Sequence, residues 1–176
     1  KNQTGAAEDS MRAAAETVEK IQNALKADRK AKTEELKRRL SSLVETLKGL
    51  IENAETIRSE IDSLPSPDTD IEIALEKKAE RLARNTAATI EESKSGGRAT
   101  EQVTKILERA SDLENDVVVA LRLSPIKIDS AKEASSRGLE LLKQALVKAQ
   151  EAKEKQQEEN ARQQYEALKL RYEGKK

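Results

Sequence analysis

The chain is 176 residues long and carries 33 basic and 33 acidic side chains, so its formal net charge is zero. This balance disfavours a nucleic acid or an anionic membrane as partner, because no overall field attracts a polyanion. Histidine and cysteine are both absent, which removes the commonest metal ligand, the commonest general base and the thiol nucleophile. We therefore expect no enzymatic activity, no metal and no cofactor.

The first third of the chain carries a heptad pattern. From Leu36 to Leu64 the apolar residues alternate in steps of four and three, at positions 36, 40, 43, 47, 50, 54, 57, 61 and 64. A long α-helix aligns such a series on one face. The series extends back to Met11 and no proline precedes Pro65. We therefore predict one long helix, helix A, over about residues 6–63.

Three breaks divide the chain, at Pro65–Asp68, Ser95–Arg98 and Ser124–Pro125. Proline, glycine and serine at these points are typical of turns. The remaining predicted helices are B at 69–94, C at 100–123 and D at 129–173. Their candidate N-caps are Asp68 or Thr69 for B, Thr100 for C, and Asp129 or Ser130 for D.

Two arrangements fit these lengths: B and C form one kinked helix in a three-helix rod, or they form a hairpin that packs on part of A and D. The apolar ends of B and C need an apolar partner, which residues 50–64 of A and 126–146 of D supply. The hairpin is therefore favoured. We predict an all-α fold, a single elongated antiparallel helical bundle over 1–176, in which a four-helix head continues into a two-helix coiled-coil stalk.

In the predicted stalk, the start of A runs antiparallel to the end of D. Two polar stretches, Asp28–Glu35 and Gln156–Gln163, then lie opposite one another. Below them one apolar series faces another, namely Val18, Ile21 and Leu25 against Tyr165, Leu168 and Tyr172. Both termini lie at the foot of the stalk.

Few residues suggest chemistry. Ser95–Arg98 is glycine-rich, but a phosphate loop needs a preceding strand and usually a following Lys-Ser or Lys-Thr, so we interpret it as a helix-to-helix turn. Adjacent glutamates at 34–35, 91–92 and 158–159 point in different directions on a helix, which favours a solvated face over a carboxylate pair. Asn2-Gln3-Thr4 matches an N-glycosylation sequon, so Asn2 is a candidate glycosylation site if the protein is secreted.

Composition and layout together resemble one known family. The chain is rich in glutamate and alanine, as in the runs Ala13–Glu16 and Gln150–Glu154, it lacks cysteine, and it carries the sequon at its start. In these features it resembles the glutamic acid/alanine-rich surface proteins of trypanosomes, which coat the insect-stage parasite. Because the sequence starts at Lys1 rather than Met, we read it as a processed ectodomain.

The resemblance implies a GPI-anchored rod, related in its helical core to variant surface glycoproteins, that forms a dense protective layer on the cell surface. Its partners would be neighbouring coat proteins or host antibodies, and it would meet the membrane only through a lipid anchor outside this segment. Apolar surface on the stalk would also allow a homodimer. The expected exposed tip, and the epitope, comprises the two proline-containing breaks: Pro65, Ser66, Pro67, Asp68, Ser124 and Pro125.

Two other classes of protein stay open. An intracellular scaffold module, like those of spectrin or talin, would bind a partner on an exposed helix face. An exchangeable apolipoprotein-like bundle would open its helices onto lipid, although such proteins use shorter helices with broader apolar faces than helix A.

Overall fold

The computed structural model describes residues 3–64, 69–123 and 126–173. This part of the chain is 95% helix, contains no strand and forms four α-helices. They are α1 (Gln3–Asp62), α2 (Thr69–Lys94), α3 (Glu101–Arg122) and α4 (Ile128–Glu173), with a 3-10 turn at Gly97–Ala99 between α2 and α3. The four predicted helices are confirmed, and the prediction of an all-helical bundle is confirmed with them.

The chain divides into two compact units, Lys1–Arg38 and Arg39–Lys176. The described part of the first unit belongs to α1. Its apolar series is solvated, since Val18, Ile21 and Leu25 are 53%, 54% and 52% exposed. Within this unit, the heptad pattern therefore belongs to a single exposed helix.

The second unit contains one apolar core to which all four helices contribute. Each helix places a heptad series there, because alternating steps of four and three keep side chains on one helical face. The buried series are Leu40, Leu43, Leu47, Leu50, Ala54, Ile57 and Ile61 in α1; Leu75, Ala79, Leu82, Thr86 and Ser93 in α2; Val103, Leu107, Ala110, Glu114, Val117 and Leu121 in α3; and Ala131, Ser135, Leu142, Ala145 and Ala149 in α4.

The helices α2 and α3 form an antiparallel hairpin. Arg122 near the end of α3 bonds to Glu76 near the start of α2, while the Ser93 and Thr104 hydroxyls lie 2.8 Å apart at the other end. The hairpin also pairs with its neighbours, since Lys78 lies 2.5 Å from Glu60 of α1. The kinked-helix alternative is thereby excluded.

The turn between α2 and α3 is built around two glycines. Gly97 has φ +59°, a left-handed conformation that favours glycine. At Gly96, a Cβ would lie 2.4 Å from the Thr100 hydroxyl, so a side chain cannot fit without displacing it. The prediction of a plain helix-to-helix turn is consistent with this geometry.

The predicted capping roles in α3 and α4 are wrong. Thr100 occupies the N-cap position of α3, but its side chain makes no capping hydrogen bond. Its hydroxyl instead donates to the carbonyl of Ser93 in the last turn of α2. This carbonyl also accepts a 3.0 Å hydrogen bond from the amide of Gly96, so the Thr100 hydroxyl is its second donor. Helix α4 begins at Ile128, so Asp129 and Ser130 lie in its first turn rather than at its cap.

The second unit has two distinct ends. At the turn end, Arg39 donates a 3.1 Å hydrogen bond to the carbonyl of Ser95, and a groove beside the turn is lined by residues of α3 together with Lys148 and Glu151 of α4. At the opposite end, Lys132 of α4 lies 3.9 Å from Asp62 of α1. Within this unit, α1 therefore enters the core, and α4 leaves it, at the turn end.

Beyond Ala149, α4 continues to Glu173, and its large apolar side chains in this stretch are exposed. Tyr165 is 69% exposed and Tyr172 is 76% exposed. The two-helix stalk stays a prediction.

Candidate functional site

The residues predicted from motifs lie outside the described part of the chain. They are Asn2 of the sequon and the six residues of the expected tip, Pro65, Ser66, Pro67, Asp68, Ser124 and Pro125. The described residues that flank the tip are Leu64, whose amide donates to the carbonyl of Ile61, and Lys127, whose amide donates to the carbonyl of Ala120. Leu64 is therefore bonded to the last turn of α1, and Lys127 is bonded to the last turn of α3.

The glutamate pairs at 34–35, 91–92 and 158–159 are exposed. Within the described residues, no group of three or more acidic side chains could hold a metal ion. The pairs belong to the solvated face that their spacing predicts.

The centre of the bundle holds one acidic side chain that motif reasoning did not identify. Glu114 of α3 is only 5% exposed. Its Oε1 accepts a 3.0 Å hydrogen bond from the hydroxyl of Thr86 on α2, while its Oε2 is buried without a hydrogen-bond partner. A buried carboxyl with an unpaired oxygen is costly, which makes this the most unusual group in the core.

A small cavity adjoins Glu114 between the four helices. Its solvent-accessible volume is about 10 Å³, which is room for about one water molecule. Except for Glu114 and one hydroxyl, the lining is aliphatic or glycine: Ala54 and Ile57 of α1, Ala79 and Leu82 of α2, Val117 of α3, and Ser135, Gly138 and Leu139 of α4. The space exists because small residues stand at core positions on three of the helices around the carboxyl.

Burial raises the pKa of Glu114 to about 7, and the hydrogen bond from Thr86 opposes this rise. The direction follows from solvation, because removing water disfavours the charged form of a carboxyl. Glu114 therefore changes protonation near neutral pH, in a range where ordinary glutamates are already ionised.

A second polar cluster lies near the turn end. Ser93, Thr100 and Thr104 are buried, and Thr104 donates to the carbonyl of Thr100 at 3.1 Å. With the bond from Thr100 to Ser93, these hydroxyls join the last turn of α2 to the first turn of α3. Each has a partner, so we assign this cluster to the joining of the hairpin.

The sequence contained a signal for Glu114. Position 114 falls in the apolar series of α3, between Ala110 and Val117, where a heptad pattern expects an aliphatic residue. In α2, Thr86 interrupts the series in the same way. The pattern alone could have marked both residues as buried, whereas their hydrogen bond needed the structure.

In the described part of the chain, no helix is both long enough and apolar enough to span a membrane. Comparisons with protein-family models, with curated proteins and with solved structures find no match to this chain.

Proposed function

We propose that the chain is a non-enzymatic cell-surface coat protein, held to the membrane by a GPI anchor outside this segment. The observation that carries the proposal is the entry of α1 into the core and the exit of α4 from it at the same end of the second unit. A bundle connected in this way can be supported from one end and can present the opposite end outward.

The surface of the bundle suits dense lateral packing. Exposed charges are paired along single helices, as in Lys48 with Glu45 at 2.8 Å and Lys105 with Glu101 at 2.7 Å. With a net charge of zero, neighbouring copies would not repel one another through a large field of one sign. Such a surface supports the proposal.

The proposal includes a two-helix coiled-coil stalk, in which residues 18–35 of α1 run antiparallel to residues 156–172 of α4. Because the chain has no cysteine, the double variant Lys20→Cys with Leu170→Cys can be spin-labelled at these two positions alone. Packed helices have axes about 8–10 Å apart, so the stalk requires a label separation below roughly 20–30 Å. A much larger separation would exclude the stalk.

The location is tested in cells that express the whole gene product. The protein should be labelled by a membrane-impermeant reagent on intact cells, and a phospholipase that cleaves GPI anchors should release it. Antibodies that bind intact cells should map to residues 64–70 and 123–127. Labelling only after permeabilisation would overturn the proposal.

The second candidate is an intracellular scaffold module. It is favoured by the exposed apolar series of α1, in which Val18, Ile21 and Leu25 lie at heptad spacing, the pattern with which one helix binds another. An intracellular location, together with loss of a binding partner in the triple variant Val18→Ser, Ile21→Ser, Leu25→Ser, would support this candidate over the coat protein.

A further inference from the structure

Glu114 lies at a site formed by all four helices of the second unit. It occupies a heptad core position of α3 between Ala110 and Val117, which are 0% and 4% exposed. The cavity beside it is lined from α1, α2 and α4 as well as from α3. Any change in the hydration of this carboxyl must therefore move α3 relative to its neighbours or admit water between them.

The site suits the neutral carboxyl better than the carboxylate. A carboxylate has about four lone-pair sites to satisfy, yet Thr86 supplies the one hydrogen bond to Glu114 in the described structure. The cavity adds room for about one water molecule. One hydroxyl and one water do not replace the hydration of a charged carboxylate, whose burial is far more costly than that of a neutral group.

No cation compensates for this shortage among the described residues that surround the cavity. The lining side chains contributed by α1, α2 and α4 are uncharged. Among the charged residues next to the lining positions, Arg81 of α2 is exposed to solvent, and three others are paired elsewhere. Glu55 of α1 bonds to Lys143 of α4, Lys78 of α2 to Glu60 of α1, and Arg137 of α4 to Glu133 on its own helix. Ionised Glu114 would therefore be stabilised only by the Thr86 hydroxyl and by water.

We propose that Glu114 is a proton-controlled latch of the bundle. With a proton on its carboxyl, α3 packs closed against α1, α2 and α4. Loss of the proton favours an open state in which water reaches the carboxylate and the segment from Ala110 to Val118 separates from the core. The latch is independent of where the protein works, so its failure would leave the proposed coat function untouched.

The direction and size of the effect follow from proton linkage. In the closed state the pKa of Glu114 is raised to about 7, against an ordinary value of 4.5 when the carboxyl is hydrated. The population of the open state relative to the closed state therefore increases as pH rises from 4.5 to 7. Above pH 7 this ratio levels off. Between pH 5 and pH 8 the opening equilibrium constant should increase on the order of 70-fold.

Hydrogen–deuterium exchange of the amides of residues 110–118 measures this opening directly. Protection factors, which remove the intrinsic pH dependence of exchange, should fall on the order of 70-fold from pH 5 to pH 8 in the natural protein. Glu114→Gln keeps the shape and removes the ionisation, so its protection should lose this dependence on pH. The matched control is Glu108→Gln, at an exposed position of the same helix, which should behave like the natural protein.

Equal pH dependence in the natural protein and Glu114→Gln would overturn the latch. A second measurement needs no variant: the side-chain carboxyl carbon of Glu114, followed by NMR in the natural protein, should titrate with a midpoint near 7. A midpoint near the ordinary value of 4.5 would overturn the proposal even if Glu114→Gln failed to fold.

Discussion

Helix α1 carries heptad-spaced apolar residues along most of its length, but these side chains are buried in one part of the helix and exposed in another. In residues 40–61 the apolar series is buried, with Leu40 and Leu47 at 0% exposure. In residues 11–25 a series of the same spacing is more than half exposed, from Met11 at 67% to Leu25 at 52%. Heptad spacing therefore predicts that a segment is helical, while burial depends on whether other helices are present to cover it.

The largest test of this difference compares two truncations in α1. Leu47→Ala removes a fully buried side chain and should lower the free energy of unfolding by about 2–5 kcal/mol. Ile21→Ala, at a site that is 54% exposed, should cost less than about 1 kcal/mol. Urea denaturation followed by circular dichroism measures both. Equal losses would show that residues 11–25 are covered in solution.

The stability of the second unit should depend on pH through Glu114. Because its pKa is raised to about 7 in the folded state from 4.5, the natural protein should lose about 2–3 kcal/mol of stability between pH 5 and pH 8. Glu114→Met has no charge to bury and should lose this difference. Urea titrations at the two pH values provide the measurement, with Glu108→Gln as the control that retains it.

A smaller effect is expected from glycines. Gly97→Ala places a side chain at φ +59° and should destabilise the protein by about 1 kcal/mol. Gly49→Ala, in the buried half of α1, would add a Cβ with nothing within 4 Å. Since alanine favours helix, it should stabilise the protein by about 0.5–1 kcal/mol. Thermal denaturation should therefore give shifts of opposite sign; shifts of the same sign would contradict the geometry of the turn.

The smallest effects should come from exposed ion pairs. Lys143→Ala removes a 2.8 Å pair with Glu55 that joins α4 to α1, and Lys32→Ala removes a 2.8 Å pair with Asp28 within α1. Both substitutions should lower the stability by less than about 1 kcal/mol, because an exposed ion pair is little more stable than its two side chains when each is hydrated separately. Only the Lys143→Ala variant removes a contact between two helices. A double-mutant cycle of Lys143→Ala with Glu55→Ala should therefore show a coupling energy, and added salt should weaken that coupling.

Much of the fold was predictable from the sequence because its signals are local. Proline and glycine mark the breaks, and heptads mark the helices between them, so every predicted boundary lies within three residues of the observed one. Local sequence signals predicted that Thr100 caps α3. This prediction is wrong because the Thr100 hydroxyl donates to the carbonyl of Ser93, seven residues earlier in the chain. The unpaired oxygen of Glu114 depends on what three other helices place around it, and no local pattern contains that information.

The two tyrosines have a practical consequence for every unfolding experiment. They are the only aromatic residues in the chain, and both stand exposed on the last turns of α4, after its core residues have ended. Intrinsic fluorescence and near-ultraviolet absorbance therefore report very little on the core of the bundle. A single tryptophan introduced beside Leu142 would therefore give a fluorescent reporter of the core, with only the two tyrosines as background.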